Sequence, residues 1–486
     1  MNLLTWTILF PIVVGIVLCL WREKGIKRNT IITITGVSLC VELLLVALSL
    51  FTVGSDSLRL FNITSTLAVD LKLDGIGRVF AGIMAIVWTL AGFYSFEYMK
   101  HEDHNKRYFG LYMIVEGVLM GLCFAGNLVT YYAFFEFLTI GSFAMVLHNQ
   151  SKEAVMAALK YLFYSFAGAY MVLFGFFFVY KYTGEGTMTF AEGGIISAEV
   201  FNNTGILGVS LLLMIIGFSV KAGMFPMQGW LPTAHPVAPA PASAVLSGLI
   251  VKAGVLGIIR VIFYIFGAQN FSGSYAQTTV LILSLITVFM GSMLAYKEKI
   301  LKKRLAYSTV SQVSYILFGL FVVDATAFKG SMLHVVAHAA IKSTLFLCAG
   351  AIIYITGCTK VDELRGIGKK MPVMLWCYTF VSLGLIGIPP FGGFASKWYL
   401  CIGALNSNIS VFAWLGPVIL LVSALLTAGY LLPISINGFM PGKDFNEEES
   451  VAFNKAKEPK MIMLIPIIIL TLISIFIGVF PEVLTW

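Results

Sequence analysis

Charge is what this 486-residue chain has least of. Asp, Glu, Lys and Arg together make up 12% of the residues, whereas hydrophobic residues make up 59% and the mean hydropathy is +0.91. Soluble globular domains carry about 25% charged residues. The composition therefore excludes an ordinary soluble protein and predicts an integral membrane protein.

The sequence signatures of bound cofactors are also missing. The seven cysteines are scattered and form no C-x-x-C pair, which argues against an iron–sulfur cluster, a zinc site or a disulfide framework. There is no Walker loop, no dinucleotide fingerprint and no metalloprotease motif. We therefore expect no cofactor, no metal site and no redox centre in this chain, and no nucleic acid among its partners.

Apolar stretches, in contrast, are abundant, and fourteen of them are long enough to cross about 30 Å of hydrocarbon. They lie near residues 3–20, 30–53, 75–96, 108–125, 127–147, 156–180, 205–225, 240–266, 276–296, 305–323, 329–356, 372–402, 411–436 and 461–481. We predict an all-α, multi-pass protein of the cell inner (plasma) membrane.

The loops between these spans alternate in charge. Those after spans 1, 3, 5, 9, 11 and 13 hold 22 of the 32 Lys and Arg residues, and the loops on the other side hold five. Cytoplasmic loops carry an excess of Lys and Arg. This pattern predicts that the basic loops are cytoplasmic and that both termini lie on the outer side.

Besides the Lys and Arg residues counted with the loops, eight charged residues fall within the predicted spans. They are the basic Lys221, Lys252, Arg260, Lys342 and Lys397 and the acidic Glu42, Glu116 and Glu136. A charge at mid-membrane costs about 2.5–3.5 kcal/mol unless it is paired or hydrated. Arg260 lies near a span end, where its long side chain is expected to reach the interface. The four lysines and Glu136 indicate function, and Glu116 is a further candidate from its depth alone.

Two spans are interrupted by helix breakers. Residues 221–241 contain Lys221 followed by several prolines, and residues 386–400 contain a Pro pair and a Gly pair before Lys397. Such breaks belong in the protein interior or along a water-filled cavity. Because the broken spans 7 and 12 lie five spans apart, they predict two inverted five-helix repeats, spans 4–8 and 9–13. The predicted units are 1–106, 107–268, 269–437 and 438–486.

The segment HVVAHAAIKSTLFLCAG (334–350) places His334, His338 and Lys342 at intervals of four residues. On a helix, all three face the same way. Histidine titrates near neutral pH, so this row, the ladder, predicts a proton relay. A zinc site is the rival interpretation, but that face carries no carboxylate or cysteine to complete four ligands. The metal-like HEDH (101–104) lies in a basic loop and is expected to be merely solvated.

Five segments together resemble the antiporter-like, proton-conducting subunits of respiratory complex I, Mrp-type sodium/proton antiporters and energy-converting membrane-bound hydrogenases. They are FFEF (134–137), KAGMFPMQGWLPTAHPVAPAPASAVLSGLIVKAG (221–254), LKKRLAYSTVSQVSYILFGL (301–320), the ladder segment and GIPPFGGFASKWYL (387–400). The resemblance implies a fourteen-helix fold with a hydrophilic axis at mid-membrane. It also implies other membrane subunits as partners, homologous antiporter-like subunits among them, and places the chain in an ion-translocating oxidoreductase or a multisubunit antiporter.

By the same resemblance, Glu136 and Lys221 match the family's glutamate–lysine pair, Lys252 its central lysine and Lys397 its terminal lysine. Lys397 stands where some members have glutamate, which leaves the parent complex open. The expected mechanism begins with Glu136 stabilising the protonated Lys221. When Glu136 is drawn away, the proton passes through Lys252 to the ladder, and Lys342 is expected to connect the ladder to Lys397.

Three functions remain open at this point. The first is translocation of protons, or of Na⁺ in exchange for protons, driven by partner subunits. The second is stand-alone transport of a small solute, which would need a cavity with selective polar groups, whereas the intramembrane polar groups here are mostly titratable. The third is a non-conducting scaffold in a redox complex, which does not account for four intramembrane lysines.

Overall fold

Helices form nearly all of the computed structural model, which describes residues 2–21, 27–54, 56–183 and 188–484. Part of the first basic loop, residues 22–26, lies outside the described residues. The helices are α1 Leu3–Leu20, α2 Arg28–Thr52, α3 Gly75–Tyr98, α4 Asn105–Cys123, α5 Leu128–Val146, α6 Lys152–Tyr182, α7 Ala198–Asn203, α8 Gly205–Ala222, α9 Leu231–Val237, α10 Ala240–Val245, α11 Val251–Ile259, α12 Ala268–Phe271, α13 Tyr275–Lys297, α14 Leu301–Val322, α15 Ala325–Thr356, α16 Pro372–Ile386, α17 Gly392–Asn406, α18 Phe412–Phe439, α19 Val451–Lys455 and α20 Met461–Val479. One antiparallel hairpin, β1 Leu58–Asn62 and β2 Ala68–Leu71, joins α2 to α3.

Within the described ranges, twelve helical segments are long and apolar enough to cross a membrane. Ten are single helices, one is α3 with its extension to His101, and one runs continuously from α10 through α11 to Phe266. The two other predicted spans correspond to α4, which is more polar, and to the pair α16 and α17, which a break divides. The all-α membrane fold is thus confirmed, and the count of fourteen crossings stays a prediction.

Both predicted breaks are present, and each begins at a glycine with a left-handed backbone. Helix α8 ends at Ala222 before Gly223, whose φ is 80°, and α16 ends at Ile386 before Gly387, whose φ is 97°. Glycine tolerates this conformation and commonly ends helices in it. The chain resumes as α9 in the first case and as α17 in the second. Each break leaves backbone groups inside the protein without helical partners.

The predicted eighth span is distorted as well. Its α10 and α11 are joined by a π-helical turn at Leu246–Ile250, and a second π-helical segment follows at Arg260–Phe266. A π-helical turn widens the backbone and frequently marks a functional position in a helix. The first turn ends two residues before Lys252.

Helices α14 and α15 form the centre of the protein. In the apolar stretch of each of these two helices, 94% of the residues are buried inside the protein, whereas the share is 39% in α1, α6 and α18. Helix α15 packs against α3, α10, α14, α16, α17 and α20. This ring of helices shields the polar residues of α15 from lipid, which a helix with three titratable groups requires.

The helix ends define two faces of the molecule. The loops 99–104, 147–151, 298–300, 357–371 and 440–460 form what we call the basic face. They contact one another through ion pairs such as Lys299–Asp362, Arg365–Asp444 and Lys369–Glu447. The β1–β2 hairpin and the loops that follow α6, α12 and α14 form the opposite face.

Candidate functional site

Lys221 is buried at the end of α8, where the first break begins. Its side chain is 1% exposed, and its ammonium donates hydrogen bonds to Thr139 Oγ1 at 2.8 Å and to Tyr161 OH at 2.7 Å. The ammonium also lies 4.9 Å from the Tyr161 ring centroid and 5.3 Å from that of Phe135. Aromatic faces and hydroxyl oxygens stabilise a cation without neutralising it. The site can therefore hold a proton on Lys221 while leaving it transferable.

Glu136 lies on α5 one turn before Thr139 and is half-buried. Its carboxylate acts on Lys221 electrostatically, but its Oε1 has no hydrogen-bond partner among the described residues. The structure thus brings the predicted glutamate and lysine to one place. Lys221 donates to Thr139, which lies one turn after Glu136 on α5, and no hydrogen bond from Glu136 to either residue is present among the described residues.

Lys252 provides the link between the two halves of the chain. It is 1% exposed, and its ammonium donates to the Ser247 carbonyl in the π-helical turn at 3.1 Å. Its nitrogen also lies 2.6 Å from His338 Nδ1 on α15. The carbonyl freed by the turn therefore orients Lys252 towards the ladder.

The ladder lies on one face of α15, as its spacing predicted. The rings of His334 and His338 have centroids 5.9 Å apart, and His334 also stacks on Tyr315 at 5.7 Å. His334 Nδ1 is 2.8 Å from Ser396 Oγ on α17. Nε2 of each histidine is buried and has no hydrogen-bond partner in the described structure. Buried polar groups of this kind are usually satisfied by internal water.

Lys397, the residue after Ser396, sits at the second break. Its ammonium donates to the carbonyls of Leu385 at 2.6 Å and Ile386 at 2.9 Å, which end α16. It also lies 5.0 Å from the Tyr315 ring centroid. Helix C-terminal carbonyls attract positive charge, so the break itself creates the binding site for this lysine.

The contacts set the order of these groups, and one expectation is wrong. The contacts run from Lys252 to His338, on to the neighbouring ring of His334, and from His334 to Ser396, the residue before Lys397. Lys342 does not connect the ladder to Lys397, because it lies one turn from His338 in the other direction, towards the basic face. Its ammonium donates to the Leu305 carbonyl of α14 at 3.1 Å.

Glu116 lies away from this chain. Its carboxyl on α4 and that of Glu42 on α2 are both fully buried, act on each other electrostatically, and have no hydrogen-bond partners among the described residues. Arg260, which was expected to reach the interface, extends to the end of α3 and is enclosed by protein there. Arg260 is 1% exposed and forms a bidentate pair with Asp74, the N-cap of α3, with one N–O distance of 2.9 Å.

Sequence reasoning missed the polar groups that support the titratable ones. Thr139, Tyr161, Tyr315 and Ser396 give no signal in an apolar helix, because hydroxyl residues are common there. Two titratable groups were also missed. Lys302 was counted among loop charges although it is 6% exposed, and His235, fully buried beside the first break, was passed over. A histidine within a broken span is the signal that could have found the second.

Fold and site together define a multi-pass membrane protein whose interior carries a chain of lysine and histidine side chains from one broken helix to another. Residues 125–427 match the family described as "NADH:quinone oxidoreductase/Mrp antiporter, TM". Residues 61–109 match "NADH-Ubiquinone oxidoreductase (complex I), chain 5 N-terminus". The chain belongs to this family of antiporter-like membrane subunits, as its motifs predicted.

Individual relatives extend the match over most of the chain. The protein is 29% identical to NADH-quinone oxidoreductase subunit N of Desulforudis audaxviator over 85% of its own length and 82% of that protein. It is 28% identical to a Na(+)/H(+) antiporter subunit of Alkalihalophilus pseudofirmus, covering 99% of this chain and 94% of the other.

Solved structures share the fold. A chain of the Mrp complex from Dietzia sp. superposes with a TM-score of 0.84 at 20% identity, over 100% of this chain and 96% of that one. A chain of respiratory complex I from Thermus thermophilus gives 0.81 at 20% identity, over 99% and 96%.

Proposed function

We propose that this chain translocates protons, or exchanges Na⁺ for protons, as one subunit of a multisubunit membrane complex. The observation that carries the proposal is the 2.6 Å contact between Lys252 and His338. It joins a lysine of the first half to the ladder of the second half inside the protein. Membership of the family, whose relatives are named as subunits of larger complexes, supports the assignment to such a complex.

The proposed route begins at Glu136 and Lys221. While the carboxylate is charged, it stabilises the ammonium form of Lys221 electrostatically. When a partner protein moves the carboxylate away or neutralises it, the buried ammonium is destabilised and its proton passes to the neutral amine of Lys252. Internal water is expected to span this step, since both lysines are sealed from lipid.

The second half of the route follows the contacts of the ladder. Protonated Lys252 gives its proton to His338, and the proton passes to His334 and through the Ser396 hydroxyl to Lys397. Each group returns to its starting state after the proton leaves. Glu136 and Lys397 are both half-buried and stand at the two ends of the route. These are positions where neighbouring subunits can sense or change their charge.

Two structural expectations belong to the same proposal. Residues 107–268 and 269–437 form inverted five-helix repeats, which is supported by the matching breaks, each after a left-handed glycine. The basic face is cytoplasmic and both termini lie outside, which is supported by the excess of Lys and Arg on that face. The protein then lies in the plasma membrane, with the ladder at mid-membrane depth.

The test is ion pumping by the assembled complex in membrane vesicles, normalised to the amount of complex. Glu136→Ala and Lys221→Ala should abolish pumping, and Lys299→Met, which changes an exposed loop lysine, should not. Normal pumping by both site variants would leave only a scaffold role. Solute uptake by the purified chain in liposomes, without partners, would instead favour a stand-alone transporter. Parallel measurements with a pH dye and ²²Na⁺ identify the ion.

A further inference from the structure

Lys302 is buried just below the basic face, although its motif LKKR reads as a loop. It lies in the first turn of α14, and its side chain is 6% exposed. Its ammonium donates to the carbonyls of Pro236 at 3.3 Å and Ala238 at 2.5 Å. These carbonyls lie at the junction of α9 and α10, behind the first break. The neighbouring Lys303, in contrast, pairs with Glu298 at 2.8 Å near the surface.

His235 lies on the inner side of this junction. It is fully buried on α9, and its ring stacks on Phe346 of α15 with a centroid distance of 4.6 Å. Neither ring nitrogen has a hydrogen-bond partner among the described residues. Lys302 and Lys342 both act on it electrostatically. A buried imidazole without partners calls for internal water.

Lys342 reaches the same turn of α14 from the other side. Its ammonium donates to the carbonyl of Leu305, which follows Lys302 by three residues. Three titratable side chains therefore lie around the first turns of α14: His235 of α9, Lys302 of α14 itself and Lys342 of α15. They extend from just below the basic face to the rung of the ladder that the main route leaves unused.

Glu102 lies at the outer end of this group, in the HEDH loop between α3 and α4. Burial raises the pKa of its half-buried carboxyl, the charge of Lys302 lowers it in part, and Asp103 raises it further. A carboxyl with a raised pKa exchanges protons closer to neutral pH than a solvated one. The sequence predicts that this loop is merely solvated. The half-buried carboxyl of Glu102 shows that it is not.

We propose that Glu102, Lys302 and His235 form a proton-uptake branch that delivers protons from the basic face to Lys342. The branch deepens the proposed function and rests on it. The Glu102 carboxylic acid gives its proton to the neutral Lys302 amine, the resulting ammonium gives it to His235, and the imidazolium gives it to the neutral Lys342 amine. From Lys342 the proton reaches His338 one turn away. The ladder is thereby loaded from the basic face without passing Lys221.

A purely structural role for Lys302 is the rival explanation. Its ammonium could act only as a cap for the carbonyls at the end of α9, where positive charge is favourable. Arginine separates the two roles, because a guanidinium donates to carbonyls as well as an ammonium does but holds its proton too tightly to release it.

The experiment compares pumping by assembled complexes that carry Lys302→Arg, His235→Gln or Glu102→Gln, with Lys303→Met as the matched control. Assembly should be normal in all four. Pumping should fall about 100-fold or more in Lys302→Arg and His235→Gln, the lower end of the range by which positioned acid–base groups accelerate proton transfer. It should fall less in Glu102→Gln, because water can replace a surface proton donor, and it should be unchanged in the control.

Lys252→Met, measured in parallel, keeps this proposal separate from the proposed function. If Lys252→Met stops pumping while Lys302→Arg and His235→Gln pump at the normal rate, the branch is refuted and Lys302 is only a cap. If Lys252→Met itself pumps normally, the main route is refuted and the branch with it. Loss of pumping in Lys252→Met, Lys302→Arg and His235→Gln, with normal assembly, supports both.

Discussion

Lys252 is the residue whose replacement tests the route most directly, because its nitrogen contacts His338 across the two halves of the chain. In Lys252→Met, the side chain keeps its length and packing but loses the contacts to His338 Nδ1 and the Ser247 carbonyl. Each lost hydrogen bond of a charged group costs about 1.5–3 kcal/mol. Removing a lysine charge from mid-membrane returns about 2.5–3.5 kcal/mol.

The two lost hydrogen bonds together cost about 3–6 kcal/mol, most of which the removed charge offsets, so the variant should assemble with a stability at most about 3.5 kcal/mol below that of the parent. Proton transfer should not survive, because methionine neither accepts nor releases a proton. We expect pumping to fall by about 100-fold or more, the lower end of the effect of a positioned acid–base group. The assay is pumping into membrane vesicles, normalised to assembled complex, with thermal unfolding of the purified complex as the stability measurement.

Lys252→Arg is the variant that can refute this reasoning. It keeps a positive charge beside His338 and can still donate to Ser247, but its proton is held too tightly to move. The relay predicts that the Arg variant assembles and fails to pump. Pumping by Lys252→Arg at the parent rate would show that a fixed charge suffices, and Lys252 would then support the ladder electrostatically without carrying protons.

Three further changes test other parts of the site. Tyr161→Phe removes one of the two hydrogen-bond acceptors of the Lys221 ammonium, so the pumping rate should fall several-fold while the amount of assembled complex stays the same; an unchanged rate would show that this acceptor is dispensable. Lys397→Glu places a carboxylate against the carbonyls that end α16, and both assembly and pumping should be lost. Normal function would mean that the break rearranges to accept a carboxylate, as the resemblance implies for those family members that have glutamate here. Gly254→Ala would drive a Cβ into the Phe218 carbonyl of α8, so the protein should be less abundant in membranes by immunoblot, whereas Gly205→Ala, with nothing within 4 Å, should be neutral.

The buried positions of the polar groups show why the chain tolerates so many charges in an apolar interior. Lys221 has hydroxyl acceptors, Lys397 has the carbonyls of a broken helix, and Lys252 has the carbonyl of a π-helical turn. In each case an ammonium meets oxygen atoms that carry no full charge. Such partners lower the cost of burial without fixing the proton as a carboxylate would.

Features that depend on local chain chemistry could be predicted from the sequence. Long apolar runs with little charge require a membrane, and proline and glycine break helices wherever the chain packs. The ladder follows from helical periodicity alone, because four-residue spacing places His334, His338 and Lys342 on one face of any helix. The intramembrane lysines were visible for the same reason, since each stands out within a single span.

Which of these groups contact one another depends on how the helices pack. Lys252 and His338 are 86 residues apart, His334 and Ser396 are 62 apart, and Arg260 and Asp74 are 186 apart. These contacts depend on the rotation and depth of each helix against its neighbours, which local periodicity leaves undefined. Lys302 shows the same limit, because its burial comes from the junction of α9 and α10 folding over it. Packing likewise decides that Lys342 contacts the Leu305 carbonyl of α14 and does not contact Lys397, because its own helix is compatible with either arrangement.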